Sequence, residues 1–374
     1  MQYRNFGNTG MIVSALGFGC MRFPMEGGHV KEEYTIKMLC RAYESGVNYF
    51  DTAEGYCSSE SQIVLGKAVK KMDRNKIYVS TKNGYKNNSA SEWRRRLETS
   101  LSRLDVDYID VYHSHSLGWD DFKSGFGVKG GPLSEAQKAK NEGLIRHIAF
   151  SCHDSPENLI KLINTGAFES MTVQYNILNR ANEEAIAIAH EKGIGVSIMG
   201  PVAGGRLAQT NQEIQKLKAG IAKSSPEIAL RFVISNPGVS TALSGMDVIE
   251  QLEENIATAS RTEPLTSEEK VQVLESLEEN KKLADLYCTG CGYCMPCPNG
   301  VDIPTNFLYM NYYKVYGLKD YARQKYATLK EMSLEGMDVP SWADTCKECK
   351  KCEPKCPQKL PIMKQLEETH KALA

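Results

Sequence analysis

Eight times between Ser14 and about Ala259, a short apolar run gives way to a longer stretch with helical spacing. The runs are SALGFG (14–19), VNYFDT (47–52), KIYVSTK (76–82), YIDVYHSH (108–115), RHIAFS (146–151), MTVQYN (171–176), GIGVSIM (193–199) and GVSTALS (238–244). Each is rich in β-branched or aromatic residues and is bounded by turn formers. Several are almost continuously apolar, as strands covered on both faces are. Between them, Glu32 to Glu44 repeats Ile36, Leu39, Cys40 and Tyr43 at helical spacing, and Ser91 to Arg103 does the same with Trp93, Leu97 and Leu101. Ser155-Pro156 and Ser225-Pro226 read as N-caps followed by proline in the first helical position. Eight strand–helix repeats over roughly 250 residues predict an α/β fold of the (β/α)8 TIM-barrel kind. A doubly wound open sheet is the alternative, but it carries an early G-x-G-x-x-G fingerprint that the sequence lacks.

The chain has 374 residues, which predicts one large or two unequal domains, and 41% of them are hydrophobic, enough for a sizeable core. Its net charge of −1 comes without long charged runs, so nothing in it favours nucleic acid or a charged membrane surface as a partner. No secretory leader pattern and no stretch of ~18 apolar residues stands in the sequence, which predicts a soluble, cytoplasmic protein. The expected organisation is a barrel over 1–265, a linking helix over 266–286 and a small cysteine-rich domain over 287–374.

In such barrels the chemistry sits at the C-terminal ends of the strands and in the loops that follow. Asp51 ends the second run, Lys82 the third and His115 the fourth, and Tyr56 lies in the loop after Asp51. Polar residues that close apolar strands are costly unless they pair. Together they can move a proton. A phenol ordinarily titrates near pH ~10, and an adjacent ammonium on Lys82 would stabilise its phenolate. Asp51 would hold that ammonium, and His115 would hydrogen-bond a substrate carbonyl while hydride arrives at carbon. His113 is expected to face away from His115 as buried structure.

The motifs FDTAEGYCSSE, YVSTKNG and YIDVYHSH, in this order over about residues 1–260, resemble those of the aldo-keto reductases. The resemblance implies Asp51, Tyr56, Lys82 and His115 as a catalytic tetrad, with Tyr56 the general acid. It also implies an extended NAD(P)H cofactor and a small carbonyl or alcohol substrate. IAFSCHD implies carboxamide contacts from Ser151 and from Cys152, which stands where asparagine is usual, and VQYN adds Gln174. VSIMGPVAGGRL implies Met199, Pro201, Gly204 and Arg206 along the nicotinamide and pyrophosphate. SGMDVIEQLEEN implies Gly245, Met246, Gln251, Glu254 and Asn255 at the adenosine, and Gly19, Cys20, Met21 and Asp51 complete the set. With Met246, Asp247 and Val248 in that loop and no base before Arg261, the resemblance leans toward NAD(H) or dual use. Ser116–Pro132, with Trp119, Phe122 and Phe126, either lines the substrate mouth or packs on the barrel.

Eight of the 12 cysteines fall in two rows. Cys346-x2-Cys349-x2-Cys352-x3-Cys356-Pro357 is the bacterial run for a four-iron cluster. Cys288-x2-Cys291-x2-Cys294-x2-Cys297-Pro298 is one residue shorter. A fourth cysteine followed by proline reaches the neighbouring cluster, so a crossed arrangement is expected: Cys288, Cys291, Cys294 and Cys356 at one [4Fe-4S] cluster, and Cys346, Cys349, Cys352 and Cys297 at the other. An uncrossed arrangement is the alternative. Zinc favours separated C-x2-C pairs over a single row. The aromatic spacer FLYMNYYKVYG (307–317) and YARQKY (321–326) would jacket the clusters between helices. The segment CTGCGYCMPCPNGVDIP resembles the signature of aldo-keto reductases that carry a helical two-cluster ferredoxin-like unit.

The combined expectation is an NAD(P)-dependent oxidoreductase that interconverts a carbonyl and an alcohol. Hydride carries two electrons and a cluster one, and no flavin motif joins them, so the clusters serve structure, docking of a redox protein, or electron transfer. The second reading is an electron-transfer or redox-sensing protein whose barrel binds nucleotide without rapid turnover.

Overall fold

Each apolar run becomes one strand, and together the eight close into a parallel barrel in the computed structural model, which describes residues 1–84, 89–177, 179–208, 220–261, 263–278, 288, 290–314, 319–334 and 336–374. The strands are β1 (Leu16–Gly19), β2 (Tyr49–Asp51), β3 (Tyr78–Gly84), β4 (Ile109–His115), β5 (Ile145–Cys152), β6 (Ser170–Gln174), β7 (Gly195–Met199) and β8 (Thr241–Ser244). Each pairs with its sequence neighbour, and β8 closes on β1 through Ala242–Leu16. That closure sets aside the doubly wound sheet.

The helices return the chain between strands: α1 (Glu32–Glu44), α2 (Ser61–Val69), α3 (Ala90–Leu104), α4 (Pro132–Asn141), α5 (Pro156–Asn164), α6 (Glu183–Glu191), α7 (Ser225–Ile234) and α8 (Ile249–Ala259). Ser155 caps α5 as expected, accepting from the Asn158 amide with Pro156 behind it. Gly66 lets α2 press on the backbone of Leu104, because a Cβ there would stand 2.4 Å from the Leu104 carbonyl oxygen.

A hairpin, Tyr3–Asn5 with Ile12–Ser14, precedes β1. Phe6 and Met11 from its turn and Val13 pack with Tyr49, Val111, Ala149 and Leu243 at the start of the barrel. Gly7, at φ +55°, fits against the backbone of Gly193 and Gly195, where no side chain has room.

The chain divides into two compact units: Met1–Val202 with Pro226–Lys270, and Ala203–Ser225 with Val271–Ala374. In the second unit, α10 (Ile303–Lys314), α11 (Lys319–Thr328) and α12 (Ile362–Leu373) surround a core of Val301, Ile303, Phe307, Met310, Tyr326 and Leu366, among others. The linking helix is described as α9 (Ser267–Glu278); residues 279–286 lie outside the described residues. No helix among the described residues is long and apolar enough to cross a membrane.

Candidate active site

Parallel strands end together, so the polar residues that finish β2, β3 and β4 meet at one rim. Asp51 is 4% exposed and Lys82 2%, and the Lys82 ammonium donates to the Asp51 carboxylate and, at 2.8 Å, to the Thr52 carbonyl. Ser80 Oγ donates to the second carboxylate oxygen at 2.7 Å. A buried ion pair is tolerable only when its remaining hydrogen-bonding capacity is met, and here Ser80 and Thr52 meet it. Lys82 lies two residues before the end of β3 rather than at it, with its side chain inside the barrel.

Tyr56 stands over this pair. Lys82 Nζ is 5.0 Å from the centre of the Tyr56 ring. The His115 ring meets the Tyr56 ring edge-on, with centres 6.0 Å apart and planes at 82°. The expected tetrad is therefore one cluster of side chains. Its loop is tied down from several sides. Arg96 bonds the Glu54 carboxylate at 3.0 Å, Thr52 shares a hydrogen bond with Ser61, and Ser61 donates to the Cys20 carbonyl. Directly after Tyr56, Cys57, Ser58 and Ser59 all take left-handed φ values of +52°, +54° and +69°. Three consecutive non-glycine residues there carry strain of about 1–2 kcal/mol each, stored beside the phenol. Cys57 Sγ donates to the Met21 carbonyl at 3.4 Å.

His113 is fully buried but shares the face of His115 instead of opposing it, because residues two apart on a strand point the same way. It belongs to a polar layer inside the barrel. Its Nε2 is 2.9 Å from Thr172 Oγ1, which bonds Ser197, and its Nδ1 is 3.4 Å from Ser80 Oγ. Burial and the Lys82 charge push its pKa well down, so it is neutral. Ser80, Thr52 and Glu54 escaped the sequence reading, since single small polar or charged residues carry no signal until the register Asp51–Ser80 is formed.

The residues expected at a cofactor occupy the adjoining strand ends. Gly19 ends β1, and Cys20 is buried, with burial, then Asp51 and Cys57, raising its thiol well above the ordinary range. Met21 is half-buried. Ser151 Oγ accepts from the Ser116 amide at 2.9 Å. Cys152 Sγ accepts from the Asp154 amide, and burial pushes its thiol up to about 12. Gln174 ends β6, 6% exposed, and Met199 ends β7, with Pro201 buried just after it. Gly245 is open and Met246 wholly buried. Gln251 accepts from the Asp247 amide, Asn255 donates to Ser244, and Glu254 is half-buried between them on α8. Gly204 and Arg206 fall in the turn Ala203–Ala208, which belongs to the second unit. A base does stand at the eighth strand: the stem of Arg22 lies against Gly245, so close that a Cβ there would be 3.3 Å away. Distance in the chain hid it from the local motif.

The Ser116–Pro132 aromatics pack the loop down. Trp119 stacks on Phe122, which meets Phe126 and Phe168, and Phe126 is fully buried.

In the second unit, Cys288, Cys291, Cys294 and Cys356 line one cavity, walled otherwise by Ile303, Phe307, Leu360 and Ile362 among others. Burial and the three neighbouring cysteines push the Cys294 thiol up to about 12. Cys346, raised by burial, has Cys297 and Cys349 beside it. Phe307 from the expected aromatic jacket reaches the cavity and Tyr326 is fully buried nearby; residues 315–317 of that segment lie outside the described residues.

Residues 15–279 match the model of the Aldo/keto reductase family, and residues 287–360 match that of a 4Fe-4S dicluster domain. L-galactose dehydrogenase of Arabidopsis thaliana is 29% identical over 308 residues, 75% of this chain and 96% of that protein. NADH-specific methylglyoxal reductase of Escherichia coli is 27% identical, over 67% of this chain and 91% of that one. The holo form of aldo-keto reductase AKR11C1 from Bacillus halodurans superposes with a TM-score of 0.64 at 28% identity, covering 74% of this chain and 96% of that chain. With the closed barrel and the Asp51–Lys82 pair under Tyr56, the family match over residues 15–279 makes this chain a member of the aldo/keto reductase family, extended at its C-terminal side by a 4Fe-4S dicluster domain.

Proposed function

We propose that the barrel interconverts a carbonyl and an alcohol with NAD(P)H, and that Tyr56 is its general acid and base. The observation that carries this reading is the Lys82 ammonium, held by Asp51 and Thr52 and lying 5.0 Å from the Tyr56 ring centre. A cation fixed there favours the phenolate, so Tyr56 can release a proton to a substrate oxygen and regain it in the reverse direction. His115, edge-on to Tyr56, orients that oxygen. A bound nicotinamide supplies or accepts the hydride. Ser151, Gln174 and Met199 fit such a group, since all three stand at the C-terminal ends of three adjacent strands, β5, β6 and β7, on the same rim of the barrel as Asp51. Dual use of NADH and NADPH follows from Arg22 and Asp247 standing near the same loop with opposite charges. The E. coli relative named for NADH specificity supports the NADH side.

The same reading gives the second unit two [4Fe-4S] clusters with crossed ligation. Its support is the cavity shared by three cysteines of the first row and Cys356 of the second. Zinc favours separated C-x2-C pairs over cysteines in a single row. Thiolate clusters of this kind persist in a reducing compartment, which fits a cytoplasmic enzyme.

The test is anaerobic purification followed by NADH and NADPH oxidation assays with a panel of aldehydes and ketones. Tyr56→Phe should lower turnover ~10²–10⁴-fold with nucleotide binding retained. Unchanged turnover in that variant would remove Tyr56 from the mechanism.

A further inference from the structure

The two cysteine rows share left-handed backbone on both sides of their second cysteine and differ in charge. Cys288 to Gly300 contains no charged residue, whereas Cys346 to Lys359 contains five lysines and two glutamates, a net charge of +3. Lys347, Lys350, Lys351, Lys355 and Lys359 are all exposed, and none is in an ion pair among the described residues. Cys349, in their midst, is the one exposed cysteine of the 12. Its sulfur accepts from Asn299 Nδ2 at 3.4 Å.

The backbone makes the contrast sharper. In the first row the residues on either side of the second cysteine are Gly290 and Gly292, at φ +67° and +77°. The matching residues around Cys349 are Glu348 and Lys350, at φ +46° and +61°. Both loops therefore need a left-handed residue at both places, where side chains are disfavoured and glycine is the natural occupant. The second row holds charged side chains there regardless, and Lys359 does the same at +50°. Strain kept where glycine would relieve it points to a use for the side chain.

We propose that the Cys346–Lys359 loop is the docking face for a small acidic one-electron carrier protein, and that the electron crosses at Cys349. This rests on the reading that the second row holds a cluster, and holds for crossed or uncrossed ligation, since Cys349 belongs to the same cluster in both. One electron leaves the reduced carrier and enters the oxidised cluster; no bond forms and no proton moves. A positive rim around an exposed ligand sulfur steers an acidic partner to the shortest path and turns a basic one away.

The experiment uses the full chain, purified without oxygen, with a plant-type [2Fe–2S] ferredoxin as the acidic probe and cytochrome c as a basic control. Binding is measured at low salt and at 0.3 M salt, and cluster reduction by stopped-flow bleaching. The variants are K347Q/K350Q/K351Q/K355Q and K350G, and iron is counted in every preparation. Ferredoxin affinity should fall ~10-fold or more with salt and in the quadruple variant. K350G should keep its iron and unfold no earlier than wild type, yet bind ferredoxin several-fold more weakly; a loop kept only for structure gives no such split. Equal ferredoxin binding in all variants, or equal binding of cytochrome c, overturns the proposal while leaving the clusters intact. Absence of iron from the wild type overturns the cluster reading and the proposal with it.

Discussion

Replacing Lys82 with methionine tests the central pair most directly. The side chains are similar in length, so the change removes charge with little change in volume. It strands the Asp51 carboxylate, 4% exposed, without its cation. Breaking a buried pair from one side costs about 3–5 kcal/mol. Ser80 still donates to Asp51, which keeps the loss near the lower end, about 3 kcal/mol. At ~3 kcal/mol per molar urea that is a midpoint shift of roughly 1 M. The double variant Asp51→Asn/Lys82→Met removes the stranded charge as well, so it should regain most of the stability. Its turnover should stay ~10²–10⁴-fold down, because the cation beside Tyr56 is still missing. The assay is urea unfolding followed by amide exchange on the segment spanning Tyr78–Gly84, with carbonyl reduction measured in parallel. A single variant as stable as wild type would mean that water reaches Asp51. Turnover that returned with stability in the double variant would make Lys82 a scaffold and not part of the proton path.

Three further outcomes follow. If ligation is crossed, Ser at Cys346, Cys349 and Cys352 together should leave about four irons per chain, and adding Cys356→Ser should remove them; an iron count untouched by the fourth change would mean uncrossed rows. Glu169 is held at about 2: burial, which raises it, is outweighed by His147, Lys140 and the Ile148 amide. Its stabilisation is therefore full above the unfolded value near ~4.3 and lost as pH falls toward about 2. The stability gap between wild type and Glu169→Gln should be constant above pH ~5 and shrink steadily from ~4 toward ~2, which amide exchange on Ser170–Gln174 at a series of pH values checks; a gap as wide at pH 2.5 as at pH 6 contradicts it. Gly66→Ala should cost about 1–3 kcal/mol or more, seen as a lower thermal midpoint, since its Cβ meets the Leu104 carbonyl at 2.4 Å and that backbone cannot retreat.

What the sequence displays and what it hides divide along a physical line. Strands buried on both faces must be apolar throughout, so all eight barrel strands stand out as runs, as does each polar residue that interrupts their ends. Asp51, Lys82 and His115 were visible for that reason. The opening hairpin was not, because its strands are three residues long and leave Tyr3 and Ile12 half exposed. His113 shares the face of His115, two residues on, and its partners Thr172 and Ser197 come from strands that only closure brings opposite. Arg22 reached Gly245 the same way, through the β8–β1 seam. Ser80 has no distinguishing neighbour in sequence and acquires its meaning from one register pair, Asp51–Ser80. The cysteine rows are the opposite case. Their spacing is local, so the ligands can be read directly, and so can the lysines between them. Yet the sequence alone makes Glu348 and Lys350 ordinary surface charges. Only the left-handed backbone they share with Gly290 and Gly292 shows that the loop has kept charge where its twin has kept glycine. Chemistry carried within one loop is legible in residue order, chemistry assembled by barrel closure is not, and strain becomes visible only when matching turns of two loops are compared.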